Sequence, residues 1–540
     1  MAPPKRPLAD DRAFRIPCIG IALIIGFIQV WVNRFYMSYD GVSYLDMADA
    51  YLRRDWHTAF NVFWNPLYSW IIGFAFLVLH PNAYWEYPVV HLVNFLIYAG
   101  TVAAFEYFLQ ALLKGRGDAS AIRIIAYALF LWTSLEMIHV WMVNPDMLVA
   151  ASVYLALGVL LRPSSRWSSI LLGLTLSAGY YAKPVMIPIG CIVLLASWKI
   201  LPRRQWVVAT LAFALLSSPL ILVLSNAAGH LTIGETGRLN FAWWIDGVEQ
   251  RNWQGGPVQA GLPVHPARVA HDHPRVYEFG GVFPVTYAMW YDVSYWFRGL
   301  HVWWAPRSFA HNMIKNLAGV ARLMLCQGGG FLVGWAFCFY RGNKNLVRLG
   351  HSWRVWAVSL GAIVLYCAVH CETRYLGGFF AVAFLIPFAA LQIEERWLAI
   401  SVAALGLVCA AFFFRVTPGE RFRPWESTPV NTYWQVATGL QNLGLTPGDK
   451  VGLACGEQGM PNSRWARLAR VHIVAEMDRD IAFWQLSEKE QKEVLDTLSA
   501  SGAKMAVTSV PPPNGAHPVG WIRIGSTTHF AYRFFGEPRH

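Results

Sequence analysis

Ile16–Asp55 reads IPCIGIALIIGFIQVWVNRFYMSYDGVSYLDMADAYLRRD, and its three parts in order decide the fold. Residues 16–33 are an apolar run close to the ~20 residues a helix needs to cross a bilayer core. Lys5, Arg6, Arg12 and Arg15 precede it, which predicts a cytoplasmic N-terminus by the positive-inside rule. Asn33-Arg34-Phe35-Tyr36-Met37 follows with no small-x-small cleavage site, so the run reads as a retained signal anchor. Tyr39-Asp40-Gly41 then places a carboxylate just past the outer mouth of the span. Val42–Asp55 carries Leu45, Ala48 and Leu52 at helical spacing, with Asp46, Asp49 and Arg53 on other faces. That pattern predicts an amphipathic helix lying at the membrane surface.

The rest of the chain extends this pattern. Of 540 residues, 55% are hydrophobic and 14% charged, against about 45–50% and 25% in soluble domains. A soluble multidomain enzyme and a disordered chain are both excluded. Spans are expected near 16–33, 84–113, 121–143, 146–161, 167–183, 185–200, 206–225, 312–339, 354–371, 376–393 and 397–415. The basic clusters Lys114/Arg116/Arg123, Arg162/Arg166, Lys199/Arg203/Arg204 and Arg341/Lys344/Arg348/Arg354 all fall on the N-terminal side when these spans alternate. The net charge of +12 is therefore mostly a topology signal, and no nucleic-acid partner is expected. Pro66–His80 is apolar but short, which suits an interfacial or re-entrant helix. Eight cysteines without a CxxC pair make no disulfide scaffold.

Three pieces fall on the outer side: a first loop at 34–83, a long second loop at 226–311, and a tail at 416–540. The expected fold class is an all-α polytopic membrane bundle of about eleven helices, residues 1–415, with a small extracytoplasmic α/β domain at 416–540. In the tail, apolar runs at Val451–Cys455, His472–Met477 and Ala503–Val510 alternate with helical patterns at Asn462–Arg470 and Ser487–Ser501. Trp521–Ile524 and His529–Phe534 suit an antiparallel edge. Trp243, Trp244, Trp253, Trp290, Trp296, Trp303 and Trp304 crowd the second loop, where rings either rest at the interface or stack on sugars.

Few ionisable residues sit where chemistry would need them. Asp40 has two competing readings: a general base or metal ligand at the bundle mouth, or a cap of the surface helix. Asp146, in the short outer turn Asn144-Pro145-Asp146, shares a side with Asp40 in the expected topology. It suits either a helix N-terminus or the second member of a carboxylate pair. His370-Cys371-Glu372-Thr373-Arg374-Tyr375 lies at another outer boundary, and Lys183-Pro184 at a third. Arg374 offers a planar fork suited to phosphate, with an internal pair to Glu372 as its rival. Snorkelling is the rival for Lys183. His271-Asp272-His273 lacks a third ligand at zinc-like spacing. Walker, GxSxG and HExxH motifs do not occur.

The order of these landmarks resembles the GT-C superfamily of integral-membrane glycosyltransferases. Asp40-Gly41-x-x-Tyr44, Asp55-Trp56 and Asn65-Pro66-Leu67-Tyr68 are similar to the first-loop pattern of its bacterial branch related to protein mannosyltransferases and the lipid A aminoarabinose transferase. Asn144-Pro145-Asp146, Ala182-Lys183-Pro184 and Glu372-x-Arg374-Tyr375 resemble further landmarks. The resemblance covers most of residues 15–400. It implies a multi-pass protein of a bacterial inner membrane that takes a polyprenyl-phosphate sugar donor. The acceptor would be a hydroxyl on a lipid, glycan or protein, reached with inversion on the outer side. It further implies Asp40 as base and Arg374 with Lys183 on the donor phosphate, supported by Glu372, Tyr375 and Tyr44. Many relatives carry two adjacent acids where this chain has Asp40-Gly41. That leaves a divalent metal ion open and puts weight on Asp46, Asp49 or Asp146 as the second acid. The rival classes are a lipid-linked-sugar transporter or flippase, which an absent internal repeat disfavours, and an inactive assembly subunit.

Overall fold

A computed structural model describes residues 9–162, 165–248, 268–279, 284–292, 302–341, 343–344, 346–393, 395–416, 430–454, 459–478, 481–513 and 518–534. The chain divides into two compact units, each assembled from three separate segments. One comprises Met1–Arg34, His91–Asp246 and Trp304–Ser427; the other comprises Phe35–Val90, Gly247–Trp303 and Thr428–His540.

The first unit is helical. All eleven expected spans are helices, but they differ in length. Ala13–Val32, Glu86–Leu112, Ala119–Ile138, Arg203–Ala228, Ser352–Val369 and Arg396–Phe413 are long and apolar enough to cross a membrane. Pro306–Cys326 and Gly329–Arg341 pass together but are bent by 67° at their junction. The full-length spans among the described residues thus number six, or seven with the bent pair, rather than eleven. Asp146–Leu160, Arg166–Ala182, Met186–Ser197 and Thr373–Ala389 have 12 to 17 residues. At 1.5 Å per residue they reach at most about 26 Å, short of a ~30 Å core.

Proline causes one of these breaks. Lys183 precedes Pro184, and the residue before proline is pushed out of the helical region. Its backbone is extended (φ −157°, ψ 135°), which ends one helix and lets Met186–Ser197 begin as a second. Thr373–Ala389 lies at the centre of this unit, buried from Leu376 to Phe384 and packed against Ser352–Val369, Asp146–Leu160 and the π-helical turn Trp132–Ile138. Phe105, Phe130 and Tyr154 fill the layer beside it, with Phe105 4.8 Å from Phe130 and 5.1 Å from Tyr154 between ring centroids.

Charge is buried here too. The Glu106 carboxylate accepts hydrogen bonds from Arg123 (2.8 and 2.6 Å) and the Tyr127 hydroxyl (2.9 Å), and pairs with Arg15 at 3.0 Å. Arg123, which the sequence assigns to a basic loop, is 1% exposed. It is a structural partner of Glu106, because a guanidinium this deep must be paired.

In the second unit, a seven-stranded sheet runs in the order Arg268–Asp272, Arg275–Glu278, His472–Met477, Lys450–Leu453, Met505–Thr508, Phe530–Arg533, Trp521–Arg523. The two pairings of Lys450–Leu453 are parallel and the others antiparallel. The tail therefore forms an α/β layer with the expected edge pair. Its sheet is extended by the hairpin Arg268–Glu278, whose second strand adds to the His472–Met477 strand. Val276, Ala475, Phe483, Val494, Leu498 and Ala506 form its core. Ser487 and Glu490 cap the helix Glu488–Ala500 with a reciprocal capping box.

The surface helix of the first loop starts earlier than expected, at Tyr39, and runs to Leu52. Its polar residues do not all face water. Asp46 is 1% exposed, because Arg467 and Thr286 receive it from within the same unit.

Candidate active site

Three helix ends of the first unit bring ionisable residues together. Asp146 opens its helix after Pro145, and its backbone N–H donates to Asn144 Oδ1 at 2.9 Å. Lys183 stands at the proline-induced break, and Arg374 in the first turn of Thr373–Ala389. Lys183 Nζ contacts Asp146 Oδ1 at 2.5 Å, and Arg374 Nε approaches Asp146 Oδ2 at 3.8 Å. The same Nε donates to Glu372 Oε2 at 2.6 Å. Glu372 Oε1 receives the Tyr375 hydroxyl at 3.3 Å and lies 3.0 Å from His370 Nε2. The Lys183 ammonium sits 3.6 Å over the Tyr375 ring, and Trp244 stacks on His370 at 4.3 Å. The sequence thus located five residues, Asp146, Lys183, Glu372, Arg374 and Tyr375, that the fold joins into one cluster.

Burial ranks the roles within it. The Asp146 side chain is 3% exposed, Lys183 16%, Arg374 19% and Glu372 37%. Asp146 is the most buried member and contacts Lys183 directly, and Glu372, the most exposed, takes the hydrogen bond of Arg374. Burial pushes the Glu372 carboxyl up, but Arg374 and His370 outweigh it and hold the group well below the usual carboxylate range. Two carboxylates against two cations leave the cluster balanced.

Asp40 belongs to the second unit. It lies in the first turn of Tyr39–Leu52, half-buried, and the N-cap of that helix is Ser38, whose Oγ accepts from Gly41 N at 3.0 Å. The capping role the sequence offered Asp40 is therefore filled by a neighbour. Near it, the Arg464 guanidinium is ringed by Tyr39 (4.5 Å), Tyr433 (5.4 Å) and Tyr36 (5.6 Å), and donates to the Tyr433 hydroxyl at 2.7 Å. Tyr44 packs edge-on against Tyr68 and Trp64 at 5.1 and 5.3 Å, a bracing position.

Asp46 and Asp49 join a cluster that sequence reasoning missed. Arg467 reaches Asp46 at 3.0 Å, Asp49 at 2.8 Å and Glu86 at 2.7 Å, and Arg470 contacts Glu86 and Asp49. Thr286 adds two donors to Asp46, at 2.7 and 2.8 Å. Three carboxylates face two guanidinium groups. Burial pushes Asp46 up to about 6 against the pull of Arg467. At Asp49 burial is outweighed by Arg467 and Arg470, and the carboxyl is lowered. The signal was present in Trp465-Ala466-Arg467-Leu468-Ala469, a cation inside an otherwise apolar helical stretch.

Other candidates find ordinary places. His271 Nδ1 lies 2.8 Å from Pro274 O, and no group of three His, Cys, Asp or Glu among the described residues is placed to hold a metal ion. Trp304 stacks with Phe241. Trp253 and Trp296 lie outside the described residues.

The structure of ArnT from Cupriavidus metallidurans in the apo state matches over 97% of this chain and 98% of its own, with 11% identity and a TM-score of 0.51. That likeness shows a shared fold. ArnT bound to undecaprenyl phosphate (12% identity, 96% and 97% covered, TM-score 0.41) is also similar to the chain. So is an Archaeoglobus fulgidus oligosaccharyltransferase complex with zinc and sulfate (12%, 91% and 68%, TM-score 0.47). No family profile matches the chain, and no curated protein matches it by sequence.

Proposed function

We propose that the protein is a membrane glycosyltransferase. It moves a sugar from a polyprenyl-phosphate donor to a hydroxyl of a lipid, glycan or protein acceptor on the outer face of the membrane, with inversion. The observation that carries this reading is the pair of cations, Lys183 and Arg374, gathered at one set of helix ends, with Lys183 on the buried Asp146 and Arg374 on Glu372, 3.8 Å from Asp146. A lipid phosphate leaves readily once its developing charge meets preorganised cations in a site shielded from water. Arg374 supplies the planar fork and Lys183 the point charge. Asp146 positions both, which is a different task from acting as the second acid. Glu372 covers the Arg374 fork and yields it to the donor. Asp40, with its helix capped by Ser38, is the candidate base that takes the acceptor proton.

Purified protein in detergent, given a radiolabelled polyprenyl-phosphate sugar and a membrane-extract acceptor, tests this directly. Arg374→Gln is expected to lower kcat/KM by about 10²–10³-fold, the loss typical of one charge-stabilising donor. Asp40→Asn is expected to abolish transfer while leaving the unfolding midpoint in place. Full activity of Asp40→Asn would remove it as the base, and wild-type protein that never turns over any such donor would sink the whole reading.

A further inference from the structure

The helix Gly459–Ala469 and the residue after it carry three arginines, and carboxylates match two of them. Arg467 meets Asp46, Asp49 and Glu86, and Arg470 meets Glu86 and Asp49. The third, Arg464, forms no ion pair among the described residues. Its guanidinium is held instead by Tyr433, whose hydroxyl accepts from Nη1 at 2.7 Å, and by the rings of Tyr39 and Tyr36. Its backbone is pinned too, since the Arg464 carbonyl accepts from the Tyr87 hydroxyl. All of these residues belong to the second unit.

Arg464 Nε is buried and has no hydrogen-bond partner among the described residues. A guanidinium is always charged and carries five donors, and buried donors are normally satisfied. Nη1 is committed to Tyr433, so the opposite edge, Nε with Nη2, is the one left for a ligand. That edge offers two parallel N–H groups, the pattern a planar carboxylate accepts in bidentate fashion. One positive charge matches one negative charge. A phosphate, with up to two, would call for a second cation, and Arg467 and Arg470 are already taken by carboxylates. The surrounding rings narrow the ligand further. Tyrosine presents an apolar face and a polar hydroxyl, which suits the C–H faces and hydroxyl groups of a sugar. Asp40, one residue after Tyr39, is close enough for its carboxylate to act on the Tyr36 hydroxyl, and Arg464 acts on the same hydroxyl.

We infer that Arg464 with Tyr36, Tyr39 and Tyr433 forms an acceptor subsite for an acidic sugar, the free guanidinium edge taking its carboxylate. This deepens the proposed transfer, and it rests on Asp40 as the base only for the use to which the bound sugar is put. A uronic-acid residue held here by its carboxylate has its hydroxyl groups beside Asp40.

The test is sugar binding by the full chain in detergent, with no sugar donor present, so a failure of transfer does not bear on it. Methyl glucuronoside and methyl galacturonoside are compared with the matching neutral methyl glucoside and methyl galactoside, and with glucose-6-phosphate, by saturation-transfer NMR titration. Wild-type protein should prefer at least one uronoside to its neutral counterpart by about tenfold, as a charge-assisted bidentate contact would give. R464Q should erase that preference. R464K keeps the charge and loses the fork, so it should lower the preference by about threefold, and it decides the outcome if R464Q shifts the unfolding midpoint. Neutral glycosides should bind both variants as they bind wild type, which a folding defect would not allow. Equal binding of acidic and neutral glycosides, stronger binding of glucose-6-phosphate than of either uronoside, or a preference that survives in both variants overturns the subsite.

Discussion

Asp146 is anchored by its backbone to Asn144, and its carboxylate meets Lys183 directly. Removing one member of a buried ion pair strands the other, at a cost of about 3–5 kcal/mol. Asp146→Asn is therefore expected to lower the thermal unfolding midpoint in detergent by several degrees. Lys183→Met in the same chain should restore part of that loss, as a double-mutant cycle would show. Asp46 yields a pH prediction. Between its ordinary value of 3.8 and about 6, the folded chain keeps a proton that the unfolded chain has released. Stability contributed by this group is thus fully present below 3.8 and falls as pH rises to about 6. The whole window is worth about 3 kcal/mol. Asp46→Asn, which keeps an acceptor for Thr286 and Arg467, should flatten the unfolding midpoint across that window; an unchanged slope would reassign the proton to another member of the cluster. At this scale the sequence revealed which residues were suspicious, because Asp146 and Lys183 each adjoin a proline at a span end. It did not reveal their pairing, since 37 residues separate them.

The bent pair yields the prediction at the scale of elements. Gly328-Gly329-Gly330 reads in sequence as close helix packing, and two of its three glycines do that work. A Cβ on Gly330 would come 2.5 Å from Leu405 O and 2.9 Å from Gly406 Cα, and one on Gly328 would strike Met324 O at 2.7 Å. Gly329 has nothing within 4 Å. Gly330→Ala is expected to destabilise by about 1–3 kcal/mol, because its neighbour is backbone and cannot turn away, whereas Gly329→Ala should be nearly silent. Thermal shift assays on the two variants would separate them, and equal effects would refute the packing argument. The locations of the helices were legible because apolar runs between charged loops leave few alternatives. Their lengths were not, since residues 146–160, 186–197 and 373–389 are apolar helices that stop short of a full span at a proline or a turn.

At the scale of the molecule, the second unit is built from segments that hydropathy alone would list as two loops and a tail. The strand and helix alternation of the tail was visible. The hairpin Arg268–Glu278 that lengthens its sheet was not, because a short pair of strands in a long loop has no distinguishing period. The tail is also no removable appendage. Arg467→Met would leave Asp49 and Glu86 to Arg470, and Asp46 with the Thr286 donors but without its guanidinium. The expected result is a loss of about 3–5 kcal/mol and new protease cleavage within residues 35–90. Protection of that segment identical to wild type would mean that the carboxylates are held without Arg467. The same arrangement sets a timetable for synthesis. Arg467 leaves the ribosome 381 residues after its partner Glu86, a delay of roughly 20–80 s at the usual elongation rates. Throughout that interval three carboxylates destined for burial have no counter-ion from the tail. The nascent first loop must then wait hydrated outside its final packing, and any messenger cut short before codon 467 yields a chain whose first-loop carboxylates never gain that counter-ion.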